Sequence, residues 1–160
     1  MKSIILAAIA LAAAPALAAD YVVIQLHADT AVPADTAWAK IGAYCAIEQF
    51  AKVPCKLTSG AGGVGSVRTL ANGVIEEPMV AQTAHSYTYG QTVGPNKDID
   101  YHGTLAVEAA GPKQARIVYT IVYDAARMPS DAVRKAQFDR IGPRFQGAVE
   151  AMKKLAEAQP

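Results

Sequence analysis

The feature that most limits what this chain can fold into is its C-terminal run from Ser130 to Ala158. Phe138, Ile141, Phe145, Ala148, Val149, Met152, Leu155 and Ala156 recur there at steps of three and four, which places them on one stripe of an α-helix. Asp139, Arg140, Arg144, Glu150, Lys153, Lys154 and Glu157 fall mostly between those positions. One face is therefore wet, and the other needs a concave apolar partner from earlier in the chain. Ser130 is placed to cap this helix and Asp131 to meet the positive end of its dipole. Gly142-Pro143 is expected to kink the helix or to split a looser first segment from a firmer second one.

Almost everything that could supply the partner reads as strand. Tyr21 to Ala28 is a β-rich run with Val22, Ile24 and Leu26 on one face and His27 on the other. Pro33 opens a stretch in which Trp38, Ile41 and Cys45 have helical spacing, and a second helical turn covers Ala46 to Phe50 before Pro54. Further strands are expected at Cys55 to Thr58, just before Asn72, and over Val74–Thr83, His85–Val93, Asp100–Ala109 and Ala115–Tyr123. Gly94-Pro95-Asn96 and Gly111-Pro112 mark turns, so consecutive strands should be antiparallel neighbours. Asn72-Gly73 is the clearest hairpin signal; it sets Ala71 opposite Val74 and Arg68 opposite Glu77. The glycine-rich segment at 60–65 lacks the following helix that a phosphate-cradling loop requires, and reads as a hairpin loop. The expected fold is thus α+β: a curved seven-stranded antiparallel sheet around a long C-terminal helix, with two short helices after the first strand.

With 160 residues, 52% of them hydrophobic, the chain suits a single domain with a core of its own. Residues 1–19 combine one positive charge, Lys2, with a short apolar run and the small-residue site Ala16-Leu17-Ala18. Pro15 and the alanines break this run where a membrane anchor would continue, so it reads as a cleaved secretory signal peptide, leaving 20–160 as the mature domain in the periplasm or outside the cell. Loss of Lys2 takes the 15 basic and 14 acidic residues to 14 and 14. A neutral exported chain without a basic face is a poor match for nucleic acid or for stable membrane insertion after cleavage. Export also places Cys45 and Cys55, the two cysteines, where disulfides persist, and they are expected to be bridged. Two thiols without a nearby histidine do not make a metal site, and no cofactor signature is present.

The order of elements, together with VPADTAWAKIGAYCAIEQF, GVGSVRTLANGVIEEPMV, HSYTY, YHGTLAV, RIVYTIVYD and FQGAVEAMKKL, resembles the SRPBCC or START-type helix-grip superfamily, most closely its bacterial polyketide cyclase/dehydrase branch. The resemblance covers essentially the whole mature chain. It implies a cavity between sheet and long helix that holds a hydrophobic or aromatic small molecule, in enzymes as well as in carriers and receptors. By position, Trp38 matches the aromatic at the rim, Gly147 the glycine where the helix passes close to the sheet, and Arg68 and Glu77 the family's charged strand pair. The chain departs from the pattern in having Phe50 where relatives often carry a Trp-His-Pro-like segment, and in its signal peptide and cysteines.

Strand alternation gives the wall of such a cavity. Glu77 and Met79 share a face with Ile75; His85, Tyr87 and Tyr89 share one, as do Tyr101, Leu105 and Val107, and Ile117, Tyr119, Ile121 and Tyr123. A tyrosine-rich wall with Phe145 above it suits an aromatic or amphipathic ligand, although the same residues also make an ordinary core. Arg68 and Glu77 are either a cross-strand salt bridge or a pair that orients the ligand's polar end. His85 is either a general base beside Glu77 or a hydrogen-bonded histidine. Three functions follow: an exported binding or carrier protein; a cyclase or dehydratase using Arg68, Glu77 and His85; or an interaction protein with a collapsed cavity. The absence of a Ser-His-Asp or H-E-x-x-H pattern favours the first.

Overall fold

The computed structural model describes residues 18–159. The expected signal peptide, residues 1–19, lies outside the described residues except for its last two. Strand β1 (Tyr21–Thr30) leads into helices α1 (Ala34–Ile41) and α2 (Ile47–Phe50). Strands β2 (Cys55–Ser59), β3 (Val67–Leu70), β4 (Ile75–Thr83), β5 (Ser86–Gly90), β6 (His102–Gly111) and β7 (Gln114–Asp124) follow, and helix α3 (Asp131–Glu157) closes the chain. The sheet order is β1-β7-β6-β5-β4-β3-β2, antiparallel throughout. Sequential antiparallel connections join β2 through β7, the longest being the β5–β6 loop over residues 91–101, and only β1 must cross to the far edge, where it pairs along its whole length with β7.

Asn72 and Gly73 have φ values of 59° and 91°, the signs that a type I′ turn needs. That turn sets Arg68 opposite Glu77, as the sequence spacing predicts. The alternation also holds: Ile24 and Ala28 of β1, Tyr87 and Tyr89 of β5, Leu105 and Val107 of β6, and Ile117, Tyr119, Ile121 and Tyr123 of β7 are all buried on the concave face. Cys45 and Cys55 are joined, with Cα atoms 5.5 Å apart. This cystine fastens the start of β2 to the turn before α2, and Glu48 reinforces it by accepting the Cys55 N–H at 2.7 Å.

Ser130 caps α3 by accepting the Val133 N–H. The helix then runs unbroken through Pro143, so no second helical segment forms. Its C-terminal half is core: Val149, Met152 and Ala156 are fully buried with Ile41 of α1 and the strands β1 and β7. Its N-terminal half differs from the sequence expectation. Phe138, expected on the apolar stripe, is 54% exposed, and the neighbouring Gln137 side chain donates to Asn96 Oδ1 of the β5–β6 loop. Between the two halves α3 stands off the sheet and leaves a cavity.

Candidate functional site

The cavity measures about 310 Å³, at the small end of ligand pockets, so the concave face has not collapsed onto the helix. Its floor is Leu70 at the end of β3, Ile75 and Glu77 of β4, Tyr89 of β5, Tyr101 just before β6, and Tyr119 of β7. One side is Ile47, Phe50, Ala51 and Val53, held there by α2 and its disulfide, and another is Gln91, Pro95 and Asn96 of the β5–β6 loop. The roof is α3, which contributes two neighbouring stripes. Ile141, Phe145 and Ala148 make the apolar one, Arg140, Arg144 and Gly147 the one beside it, each at i, i+4 and i+7.

Five of the residues that alternation and resemblance assign to this wall are on it: Glu77, Tyr89, Tyr101, Tyr119 and Phe145. The Tyr89 and Tyr119 hydroxyls are 2.6 Å apart, and the Tyr119 ring lies 5.0 Å from that of Phe145. Tyr89 keeps its position because its register partner is Gly103; a Cβ there would come within 2.4 Å of the Tyr89 hydroxyl and ring. Burial raises the pKa of Tyr89 and Tyr119 well above that of free tyrosine, so both hydroxyls stay protonated. They can orient a polar group of a ligand without presenting a charge to it.

Arg68, Met79, Tyr87, Tyr123 and His85 do not line the cavity. Met79, Tyr87 and Tyr123 are packed into the core around it. Arg68 is completely buried behind the wall. Its guanidinium lies 4.2 Å from the centre of the Tyr44 ring and 4.8 Å from that of Tyr89, a cation–π enclosure. Its Nε donates to Glu77 Oε2 at 2.9 Å, Nη2 is 2.7 Å from the same oxygen, and Nη1 donates to the Tyr44 carbonyl. The sheet face is right, but the rings of Tyr44, Tyr87 and Tyr89 close over Arg68. Glu77 reaches the cavity, and Arg68 holds it from the rear. Burial raises the Glu77 pKa, and Arg68 opposes that rise.

His85 is a correction. It was expected to share the inward phase of Tyr87 and Tyr89, and like Tyr87 it meets Trp38, but it stands at the tip of the β4–β5 hairpin, half-buried beside α1 and off the cavity. There Nε2 is 2.7 Å from Asp35 Oδ1 and the ring meets the edge of Trp38. No geometry brings it to Glu77 or to the cavity. Trp38, expected at the cavity rim, packs over Gly42, where a Cβ would strike the indole at 2.4 Å, and against Tyr87, and it does not line the cavity. Gly147 is a further correction: a Cβ there would meet nothing within 4 Å, so close packing on the sheet is not why a glycine stands at this position. It borders the cavity instead.

Residues missed by sequence reasoning include Tyr44, whose hydroxyl donates to the Glu77 carbonyl at 2.9 Å and whose own carbonyl receives Arg68. It follows Gly42, past the end of α1, where helical spacing gives no indication of facing. Arg140 and Arg144 read as part of the wet face, although their i, i+4, i+7 spacing with Gly147 was the available signal. Among the described residues no cluster of three metal-ligating side chains occurs, and no described helix is long and apolar enough to cross a membrane.

The sequence model of a family described as "Polyketide cyclase / dehydrase and lipid transport" matches residues 21–157, nearly all of the described chain. No curated protein matches the sequence. Among solved structures, the Zhui aromatase/cyclase from Streptomyces sp. R1128 superposes with a TM-score of 0.71 at 14% identity, over 86% of this chain and 94% of that one. A Thermobifida fusca protein gives 0.69 at 18% identity, over 86% and 97%. Truncated norcoclaurine synthase from Thalictrum flavum gives 0.66 at 18% identity, over 92% and 100%. At these identities the structural likeness shows the helix-grip fold and nothing finer.

Proposed function

Because the chain belongs to the polyketide cyclase/dehydrase and lipid transport family, we propose that it is an exported carrier that takes one small hydrophobic or aromatic molecule into the cavity between sheet and α3. The observation that carries this reading is the make-up of the wall. Leu70, Ile75, Phe50, Val53, Ile141 and Phe145 supply apolar surface, and Tyr89, Tyr101 and Tyr119 add ring faces with protonated hydroxyls. The one buried carboxylate on the wall, Glu77, is already matched by Arg68. Such a wall removes apolar surface from water, which favours binding by about 25 cal/mol per Å² of ligand buried, and gives a few fixed points for orientation.

An enzymatic reading draws on the aromatase/cyclase among the structural neighbours. In this chain it would have to run on Glu77 and the three wall tyrosines, since His85 and Arg68 stand outside the cavity. Arg68 Nε and Nη2 both converge on Glu77 Oε2, so one of the two carboxylate oxygens is already taken up by the ion pair and His85 is not at hand to share a proton. Carriage therefore fits these residues better than proton transfer does.

The test is native mass spectrometry of the protein recovered from the periplasmic fraction of its own cells. The expected mass is that of a chain beginning at Ala19 or Asp20 plus one small apolar molecule, which leaves unchanged on denaturation. A chain retaining residues 1–19 would end the export reading. Release of a chemically altered molecule on incubation would replace the carrier with an enzyme.

A further inference from the structure

Three charged residues line the cavity: Glu77, Arg140 and Arg144. Glu77 is buried and neutralised by Arg68, so the inner wall carries no net charge. The two arginines are one helical turn apart on the same face of α3, with Gly147 completing their stripe. Neither is ion-paired with a carboxylate among the described residues. Arg140 donates from Nη2 to Gln137 Oε1 at 2.6 Å, which fixes its guanidinium without neutralising it. Arg144 lies 6.0 Å from the centre of the Phe145 ring, on the cavity side of the helix. Burial raises the pKa of Glu77 and of Tyr101, and the Arg144 charge is among the groups that oppose both rises. Both guanidinium groups are thus exposed at the cavity and free of any carboxylate partner among the described residues.

We propose that the molecule carried is an amphipathic monocarboxylic acid, seated apolar end first, with its carboxylate held at the cavity mouth by Arg140 and Arg144. The claim rests on the carrier reading and names the ligand class of that same site. Guanidinium groups offer planar pairs of N–H donors that match a carboxylate, and two of them one turn apart can share its two oxygens. The reverse pose is disfavoured, because it would bury the acid beside Glu77, whose only cation is already engaged. Gly147 leaves the third position of the stripe without a side chain, so the acid can approach the arginines from the solvent side of the cavity. Because both arginines are exposed, their attraction should weaken as salt is added.

The test uses a matched pair of ligands, decanoate and 1-decanol, displacing the fluorescent probe N-phenyl-1-naphthylamine from the mature protein. Wild type is expected to bind decanoate about tenfold more tightly than the alcohol, roughly 1.4 kcal/mol, with a preference that shrinks at high salt. The Arg140→Met, Arg144→Met double variant should lose that preference while holding the alcohol as before. Arg140→Lys with Arg144→Lys, which keeps the charge, should retain part of it. Both side chains are exposed and outside any ion pair, so the variants should melt as wild type does, and melting curves check this. Equal binding of acid and alcohol by wild type, or a decanoate affinity unmoved in the methionine variant, would overturn the proposal and leave the carrier reading standing. If the probe shows no saturable binding and neither ligand protects against thermal unfolding, the carrier reading fails first and the proposal with it.

Discussion

Arg68 and Glu77 show how a charge can be kept inside a small domain. A guanidinium has five donors and never loses its proton under ordinary conditions, so complete burial is tolerable only with acceptors on several sides. Glu77, the Tyr44 carbonyl and the faces of Tyr44 and Tyr89 supply them. Changing Arg68 to Met alone should strand the Glu77 carboxylate and cost about 3–5 kcal/mol, read by urea unfolding. Arg68→Met combined with Glu77→Leu removes both charges and should recover most of that loss. A single variant as stable as wild type would mean that the carboxylate is not held by this arginine. The pairing itself was legible, because Asn72-Gly73 sets the register and register sets the pair. What the sequence could not tell is which side of the wall the arginine occupies. That depends on Tyr44, a residue in an irregular turn with no periodicity to read.

At the scale of elements, α3 carries two jobs along its length. The turns from Val149 to Ala156 are a packed seam, whereas those from Arg140 to Ala148 roof a space. A single apolar stripe read from spacing cannot distinguish a residue that touches the sheet from one that faces a void, and Phe145 is such a case. Its ring meets Tyr119 on one side and the cavity on the other. Phe145→Ala should therefore cost about 1–2 kcal/mol, less than the 3–5 of a fully enclosed ring, since truncation enlarges a cavity that already exists. Gly147→Ala should have the opposite sign. The new methyl meets nothing within 4 Å and the helix gains up to about 1 kcal/mol of propensity, measurable as a raised urea midpoint. A loss of stability at Gly147→Ala would put back the close approach to the sheet that the resemblance implied. The strands were legible almost to their ends because one face is buried and the other wet. The exception is His85: its carbonyl still accepts the Val107 N–H at 2.9 Å, but at the hairpin tip the side chain lies against α1, beyond the reach of the cavity, and alternation gives a face and not a distance along the strand.

Taken whole, the molecule is closed at one edge by the β1–β7 pairing and by Asp124. This carboxylate accepts the Asp20 N–H at 2.9 Å, the Ala126 N–H at 3.0 Å and Arg127 Nε at 3.1 Å. These donors, the Asp20 amide foremost, hold its pKa below the 3.8 of a free aspartate. The folded state therefore releases this proton more readily than the unfolded chain. Its contribution is fully present above about pH 3.8 and fades as pH falls through the depressed value. Asp124→Asn should melt lower than wild type at about pH 7, with the gap narrowing as the pH falls below 3.8 and through the depressed value. A gap that does not change with pH would show that the amide's altered hydrogen bonding, not the charge, is what matters.

The central claim is that the space under α3 receives a small apolar molecule, and isoleucine methyl groups report on it directly. Ile47, Ile75 and Ile141 line the cavity, whereas Ile24, Ile41, Ile99, Ile117 and Ile121 are buried elsewhere in the core. In a methyl NMR titration with N-phenyl-1-naphthylamine, the first three should shift and saturate at one equivalent while the other five stay nearly still. Shifts centred on Ile24, Ile41, Ile99, Ile117 or Ile121, or no saturable shift at any isoleucine, would contradict the account.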